Sequence, residues 1–437
     1  MRRHTCSAIF LLSSGAPAMA LGPDLTVSDI TSANTYGQID GVHAFMFGVT
    51  ACNLGDADLS WSGVSEAHPV LAESLYRLSE GRLLQVGISH VAHPFAALQT
   101  GMCSMCDPAE NSQLLGPGCA SPSSTSVIGS QASLGPRAEV NASTGEVQYP
   151  FTGIGQSGAP TERRVQVEAG DIEPGGKYFA ELQYVAADDA GAGAGLNNAS
   201  YRRASMSAGE SLTLTGPTIT QSPAIFAWAD EVPGVQIVTA DVPGDGRLNV
   251  GALATQIGPG LWRYDYAVHN MNSHRSAGSI TVPVGGDVSE DSFQAPIYHS
   301  GEPVDNQPWA FSQGAGAATW SVGTHSPETD LSANAVRWGT MYTFSFVSDG
   351  PPTTGAIEVG MFRPGAQSSF TVSGPTPGTL CAADLAEPFG ELNFSDVVAF
   401  LTAFGSMSPE ADLSEPFGSF DFSDVVAFLT SFGAGCP

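Results

Sequence analysis

From about residue 222 to 371, apolar and polar positions alternate in short runs split by turn residues, and that period of two predicts half-buried strands. Residues 235–239 lead through Pro243-Gly244-Asp245-Gly246 into 247–250, and 261–268, 278–282, 341–346 and 357–362 complete the set. So many short strands over this length predict an antiparallel β-sandwich. Upstream the pattern is mixed: residues 44–49, 83–88 and 177–185 read as strands, and a Ser/Gly/Pro-rich stretch over 103–133 has little periodicity. A loop that long in a folded domain is functional, disordered or covalently pinned. Ser373-Gly374-Pro375-Thr376-Pro377-Gly378 reads as a Pro/Gly linker. Beyond it, apolar residues at Val397, Phe400, Leu401 and Phe404 adopt helical spacing. The chain is therefore expected to be mainly β: a leader over 1–20, a β-rich module over 21–215, a β-sandwich over 216–372, a linker over 373–380 and a small helical domain over 381–437.

The last domain contains one motif twice. Asp384-Leu385-Ala386-Glu387-Pro388-Phe389-Gly390, followed by Asn393-Phe394-Ser395-Asp396 and a helix-forming apolar run, recurs from Asp412 as far as Phe432. An acidic, Gly-containing loop delivering the chain into an apolar helix, duplicated and closed by Ala434-Gly435-Cys436-Pro437, resembles the Gly-Cys-type dockerin tails of secreted bacterial proteins. The resemblance implies paired calcium loops and attachment to a cohesin-like or envelope partner. A regular calcium loop places oxygens at positions 1, 3, 5, 7, 9 and 12 with Gly at 6. With Asp396 and Asp424 at position 12, Asn393 and Asp421 fall at 9, whereas Asp384 and Asp412 fall one residue early and Phe389 and Phe417 occupy position 5. Either Glu387 and Glu415 supply the missing oxygen, or the Pro-Phe pair packs inward in place of the ion. The helix faces are expected to pack on each other as a pseudo-two-fold pair.

Met1-Arg2-Arg3, a short apolar stretch and Ala18-Met19-Ala20 make a secretory signal, so the protein is expected outside the cell, at its surface. Of seven cysteines Cys6 lies in the leader, leaving an even set. In an oxidising compartment Cys52, Cys103, Cys106 and Cys119 favour disulfides over zinc, and Cys381 with Cys436 would clamp the tail. With 43 acidic against 15 basic residues and a formal charge of −28, the chain has nothing to neutralise phosphates, which excludes nucleic acid as a partner. No stretch has the length of a transmembrane helix.

The body's chemistry is less legible. His68-Pro69-Val70, Leu75-Tyr76-Arg77-Leu78, His93, Gly135-Pro136-Arg137 and the stretch from Gln183 to Arg202 resemble an uncharacterised family of secreted bacterial proteins, which implies one secreted module and no reaction. His68 and His93, within those stretches, are the first candidates for a copper or zinc site, although satisfied structural histidines account for them better. Asp188, Asp189, Asn197 and Asn198 gather oxygens that could hold calcium or a sugar, although turn formation explains them as well. Asp241, Asp245 and Asn249 mimic a calcium loop, and a hairpin turn accounts for them better. Trp228, Trp262, Trp309, Trp320 and Trp338 would stack on a polysaccharide if exposed, and otherwise belong to the core. No Gly-x-Ser-x-Gly elbow, phosphate loop or dinucleotide fingerprint is present. A paired-carboxylate glycosidase stays open, since its two acids need no proximity in sequence. The leading expectation is a non-catalytic extracellular binding or structural protein held by its tail. The alternative is a secreted metal-dependent or carbohydrate-active enzyme with its site in residues 24–215.

Overall fold

The computed structural model describes residues 22–435 apart from 67, 94, 131–133, 152–157, 259, 287, 324–330, 379–380, 388 and 390. The expected leader and Cys436 fall outside these. The fold is mainly β, and every strand pairing among the described residues is antiparallel.

The first sheet runs in the order Leu25–Ile39, Val42–Asn53, Val165–Glu168, Arg82–Ile88, Val70–Ser79, Lys177–Val185, Ala199–Met206, Leu212–Ile219, and Ala120–Ser123 adds to Val42–Asn53. Two-residue turns at Asp40-Gly41 and Glu80-Gly81 close two of its hairpins, each with both residues at positive φ, as a turn matched to strand twist requires. Val42–Asn53 is buried almost throughout and reads accordingly as a nearly continuous apolar run. The aperiodic stretch is pinned: Cys52 bonds Cys103, which ties the loop to that strand, and Cys106 bonds Cys119 within the loop. The expected Cys381–Cys436 closure lies outside the described residues.

Two five-stranded sheets follow. One holds Gln236–Asp241, Arg247–Gly258, Leu261–Asn270, Thr340–Ser348 and Val288–Gln294; the other holds Ala310–Gly314, Ala317–Ser321, Ala277–Pro283, Pro352–Met361 and Ser369–Pro377. Val250, Tyr264, Tyr266, Phe344 and Phe346 of the first share a core with Ile280, Val282, Trp320, Ile357 and Val359 of the second. Two expected boundaries move. Leu212–Ile219 is one strand of the first sheet, with Tyr201 opposite Ile219, so that module runs past 215. Residues 373–377 are not linker but the end of the strand Ser369–Pro377, where Gly374, Pro375, Thr376 and Pro377 are buried. This is an edge strand, where a proline's missing N–H costs no ladder bond.

The first sheet is fastened to the following strands by apolar and polar contacts together. Tyr76, Leu83, Phe179 and Tyr201 pack with Ile225, Trp228, Leu253 and Met341. Fully buried Arg137 donates to the carbonyls of Ser89, Glu73 and Gly339, Gln85 donates to Gly339 O at 3.0 Å and accepts from Met341 N at 2.7 Å, and Trp338 Nε1 donates to Arg137 O at 3.0 Å. Such a network holds one arrangement because each misplaced partner would leave a buried polar group unmet.

The tail carries helices Phe394–Gly405 and Phe422–Ala434. Phe400 and Phe428, equivalent residues of the two repeats, stack with centroids 4.1 Å apart and planes 12° apart. Contact between equivalent residues is what a two-fold pairing produces.

Candidate functional site

In each tail repeat the residue expected at loop position 9 is the helix N-cap and the one at position 12 is its third residue. Asn393 and Asp421 accept from Ser395 N and Ser423 N, both at 2.7 Å, and both helices open with a reciprocal capping box. Asp396 is buried; its Oδ1 accepts from Leu385 N at 2.9 Å and Ala386 N at 2.8 Å, and its Oδ2 from Asn393 N at 2.8 Å. Asp424 repeats this with Leu413, Ser414 and Asp421. The N–H of Asp421, with those of Ser414 and Leu413, holds the Asp424 carboxyl below its ordinary value. The carboxylates that would close a calcium loop thus already staple loop to helix through backbone donors. Asp412 accepts from Gly418 N at 2.5 Å through Oδ2, while its Oδ1 is buried with no partner, which leaves one carboxylate oxygen suited to a cation. Gly418 sits at φ 90°, a conformation that favours glycine at this point of the loop. Phe417 is 69% exposed, so in the second repeat the aromatic does not pack inward in an ion's place.

The helices also differ from expectation on their outer side. Val397, Phe400, Ala403 and Phe404 turn inward with Val425, Phe428 and Phe432, but Leu401 and Leu429, expected inside, are each 58% exposed. With Phe394 and Val398, and Phe422 and Val426, they form a second apolar stripe on each helix, exposed to matching degrees.

In the body, the structure brings His68 and His93 together. The ring of His68 is buried and lies 5.9 Å from that of His93, 5.7 Å from Tyr149 and 5.8 Å from Phe151, nearly perpendicular to all three. Its Nδ1 contacts the carbonyl of Ser65, which fixes the proton on Nδ1, and its Nε2 is buried without a partner. Burial, with the neighbouring His93, pushes the His68 pKa down despite the Ser65 carbonyl. Phe95, 5.9 Å from His93 ring to ring, continues into a groove of about 750 Å³ lined also by Thr31, Leu98, Pro122 and Val127. Among the described residues no group of three or more His, Cys, Asp and Glu is placed to hold a metal.

The oxygen-rich loops are structural. Asp189 accepts from Leu25 N at 2.8 Å and Asn198 Nδ2 at 2.7 Å, Asp188 accepts from Ser60 N at 2.8 Å, and Asn197 donates to Asp24 at 3.1 Å. Asp245 accepts from His274 N and Arg275 N, and Asp241 pairs in a fork with Arg247. The expected hairpin turn is present, with Asp245 N bonded to Val242 O at 3.0 Å. Trp228, Trp309, Trp320 and Trp338 are core residues, and Trp262 is half-buried, so no flat row of indoles faces solvent.

Two features have no clear signal in the sequence. His90 and His299 stack with centroids 5.6 Å apart, and burial pushes them down to about 3 and about 4. Glu73 and Glu302, both buried, are pushed up to about 8 and about 7 by desolvation against the pull of Arg137. Only their positions in an apolar strand and a loop beside Tyr298 could have hinted at this.

No helix among the described residues is long and apolar enough to cross a membrane. No family model and no curated protein matches the chain. Among solved structures, one reporting inhibition of the exo-β-D-glucosaminidase CsxA by a glucosamine-configured castanospermine and an amino-australine analogue aligns at 9% identity and a TM-score of 0.18. That alignment covers 75% of this chain and 25% of that one, so this chain spans about a quarter of its length.

Proposed function

We propose that this is a secreted extracellular protein held at the cell surface by a dockerin-like tail, with a body built from a disulfide-pinned β module and a β-sandwich. One observation supports this reading most: each tail helix buries one apolar face and exposes a second, and the exposed residues Phe394, Val398 and Leu401 match Phe422, Val426 and Leu429 position for position. A helix in a domain this small gains nothing from exposed leucine and phenylalanine unless a partner covers them. The occupant is a cohesin-like protein face with an apolar strip, because duplication offers such a strip two equivalent ridges. The two disulfides fit an oxidising compartment. Calcium, where bound, would be held through Asp384 and Asp412 with help from Asn393, Asp396, Asp421 and Asp424, and would tighten the loops.

The test is made in the secreting cell. The full chain carrying a photo-cross-linking residue at Val398 should yield one discrete envelope adduct. Leu401→Glu alone should leave attachment in place, because the second helix still serves, and Leu401→Glu with Leu429→Glu should release the protein to the medium. A double variant that remains attached, or an adduct only with a second copy of this chain, overturns the reading.

A further inference from the structure

Where the first module meets the sandwich, two cavities adjoin at Leu196, which lines both, and no tail residue lines either. We propose that they form one cleft that binds a neutral oligosaccharide.

Thr239, Asn249 and His269 are direct neighbours on three adjacent strands, so their side chains line up across one face of the sheet. Thr239 Oγ1 donates to Asn249 Oδ1 at 2.7 Å, and Asn249 Nδ2 meets His269 Nδ1 at 3.2 Å. Glu181 Oε1 of the first sheet lies 3.8 Å beyond His269 Nε2. Asn249 and His269 are buried, whereas Thr239 is exposed and lines the smaller cavity, of about 220 Å³, beside Asn249. The Thr239 hydroxyl has turned its proton inward, so it presents only lone pairs to the cleft. A run of bonds pointing one way strengthens the acceptor at its open end.

Donors stand beside that acceptor. The fork between Arg247 and Asp241 uses Nε and Nη2, which leaves Nη1 of Arg247 for a ligand. Gln221 is fixed through its backbone, whose N–H donates to Ser200 Oγ at 3.0 Å, and its side-chain amide makes no bond among the described residues. Phe226, half-buried, adds an apolar ring to the same wall. Past Leu196 the larger cavity, of about 440 Å³, is walled by Asp241, Asn272 and the bare backbone of Gly193 and Gly244, both at positive φ. Together they have the size, and the place at a junction of modules, that small-molecule sites favour.

Charge selects the ligand. The Arg247–Asp241 pair is neutral as a unit and favours neither sign, while Asp245 and a formal charge of −28 disfavour a polyanion. A sugar hydroxyl both donates and accepts, which is what neighbouring donors and acceptors call for, and the C–H face of a pyranose can cover the Phe226 ring.

The test is affinity electrophoresis of the full-length oxidised protein. Native gels each hold one neutral polysaccharide (a β-glucan, a xylan, a galactomannan or an α-glucan), and a further gel holds alginate, a polyanion. At least one neutral gel should retard the protein, and alginate should not. Arg247→Ala should weaken the binding about tenfold or more, as the loss of a charge-assisted hydrogen bond entails, and Gln221→Ala should weaken it less. Both should leave the melting curve in place, because the fork lies at the surface and the Gln221 side chain is exposed. Retardation by no gel, by alginate alone, or at parental strength in the double variant overturns the proposal. Leu401→Glu with Leu429→Glu should leave the retardation unchanged, so the cleft and the tail attachment can fail separately.

Discussion

At the scale of single residues, Asp396 and Asp424 decide how the tail holds its shape. Each carboxylate gathers three backbone N–H groups that would otherwise be unmet at a helix start and a loop turn. Asp396→Asn replaces one acceptor oxygen by a donor, so at least one buried N–H then faces another N–H. The expected cost is roughly 1–3 kcal/mol, seen as an earlier loss of the tail's helical signal while the body's melt stays in place. The pH dependence follows from the direction of the Asp424 shift. Its folded value lies below its unfolded one, so its contribution is present above the ordinary aspartate range and is lost as pH falls through the folded value. Amide exchange at Leu413 and Ser414 should therefore stay slow through pH 4 and quicken only below the ordinary aspartate value. The same bonds are expected to hold the tail's helices without calcium: a chelator should leave the signal at 222 nm unchanged, and a collapse of helicity would refute the staple.

At the scale of elements, the stacked pair of equivalent phenylalanines is the centre of the tail. Phe400 and Phe428 are each 1% exposed in a cluster of otherwise small or partly buried residues. Phe428→Ala should cost roughly 3–5 kcal/mol, enough to melt a domain this small at ambient temperature and leave a single body transition by calorimetry. These helices are legible in the sequence because their apolar spacing survives whatever surrounds them, although spacing alone misplaced Leu401 and Leu429. The strands over 235–362 are legible for the same reason, being alternating runs that end in turn residues. The strand Leu25–Ile39 is not, because Ser28, Asp29, Ser32 and Asn34 break its alternation and only pairing with Val42–Asn53 makes it a strand. Residues 373–377 mislead in the opposite sense, since a Gly/Pro run reads as linker until an edge strand accepts it. The pairing of Cys52 with Cys103 and of Cys106 with Cys119 could not come from spacing, as four cysteines allow three connectivities. His68 and His93 were identifiable by residue type, but their proximity depends on how the segments around them pack, which no local pattern records.

At the scale of the whole molecule, the buried titrating groups pull stability in opposite directions. Desolvation raises Glu73 to about 8 and Glu302 and Asp189 to about 7. Between the ordinary carboxylate values and these, the folded chain holds protons that the unfolded chain has lost, so stability falls as pH rises. Desolvation lowers His90 to about 3 and His299 to about 4. Between those values and the ordinary 6.5 the unfolded chain holds the extra protons, so stability rises with pH. The two limbs overlap on the acid side of neutrality, and the body's melting temperature should peak there, falling towards pH 3 and towards pH 8. The cause is separable. Glu73 Oε2 accepts from Phe47 N at 3.0 Å, a bond that a glutamine oxygen can keep, and glutamine has no proton to lose. Glu73→Gln should therefore flatten the alkaline limb, gaining on the parent at pH 8 by more than at pH 5, and leave the acid limb, which belongs to the stacked histidines, unchanged. A melting temperature that rises without a break to pH 8, or a Glu73→Gln curve parallel to the parent's, would show that the buried acids are charged in the fold and that Arg137 outweighs their desolvation.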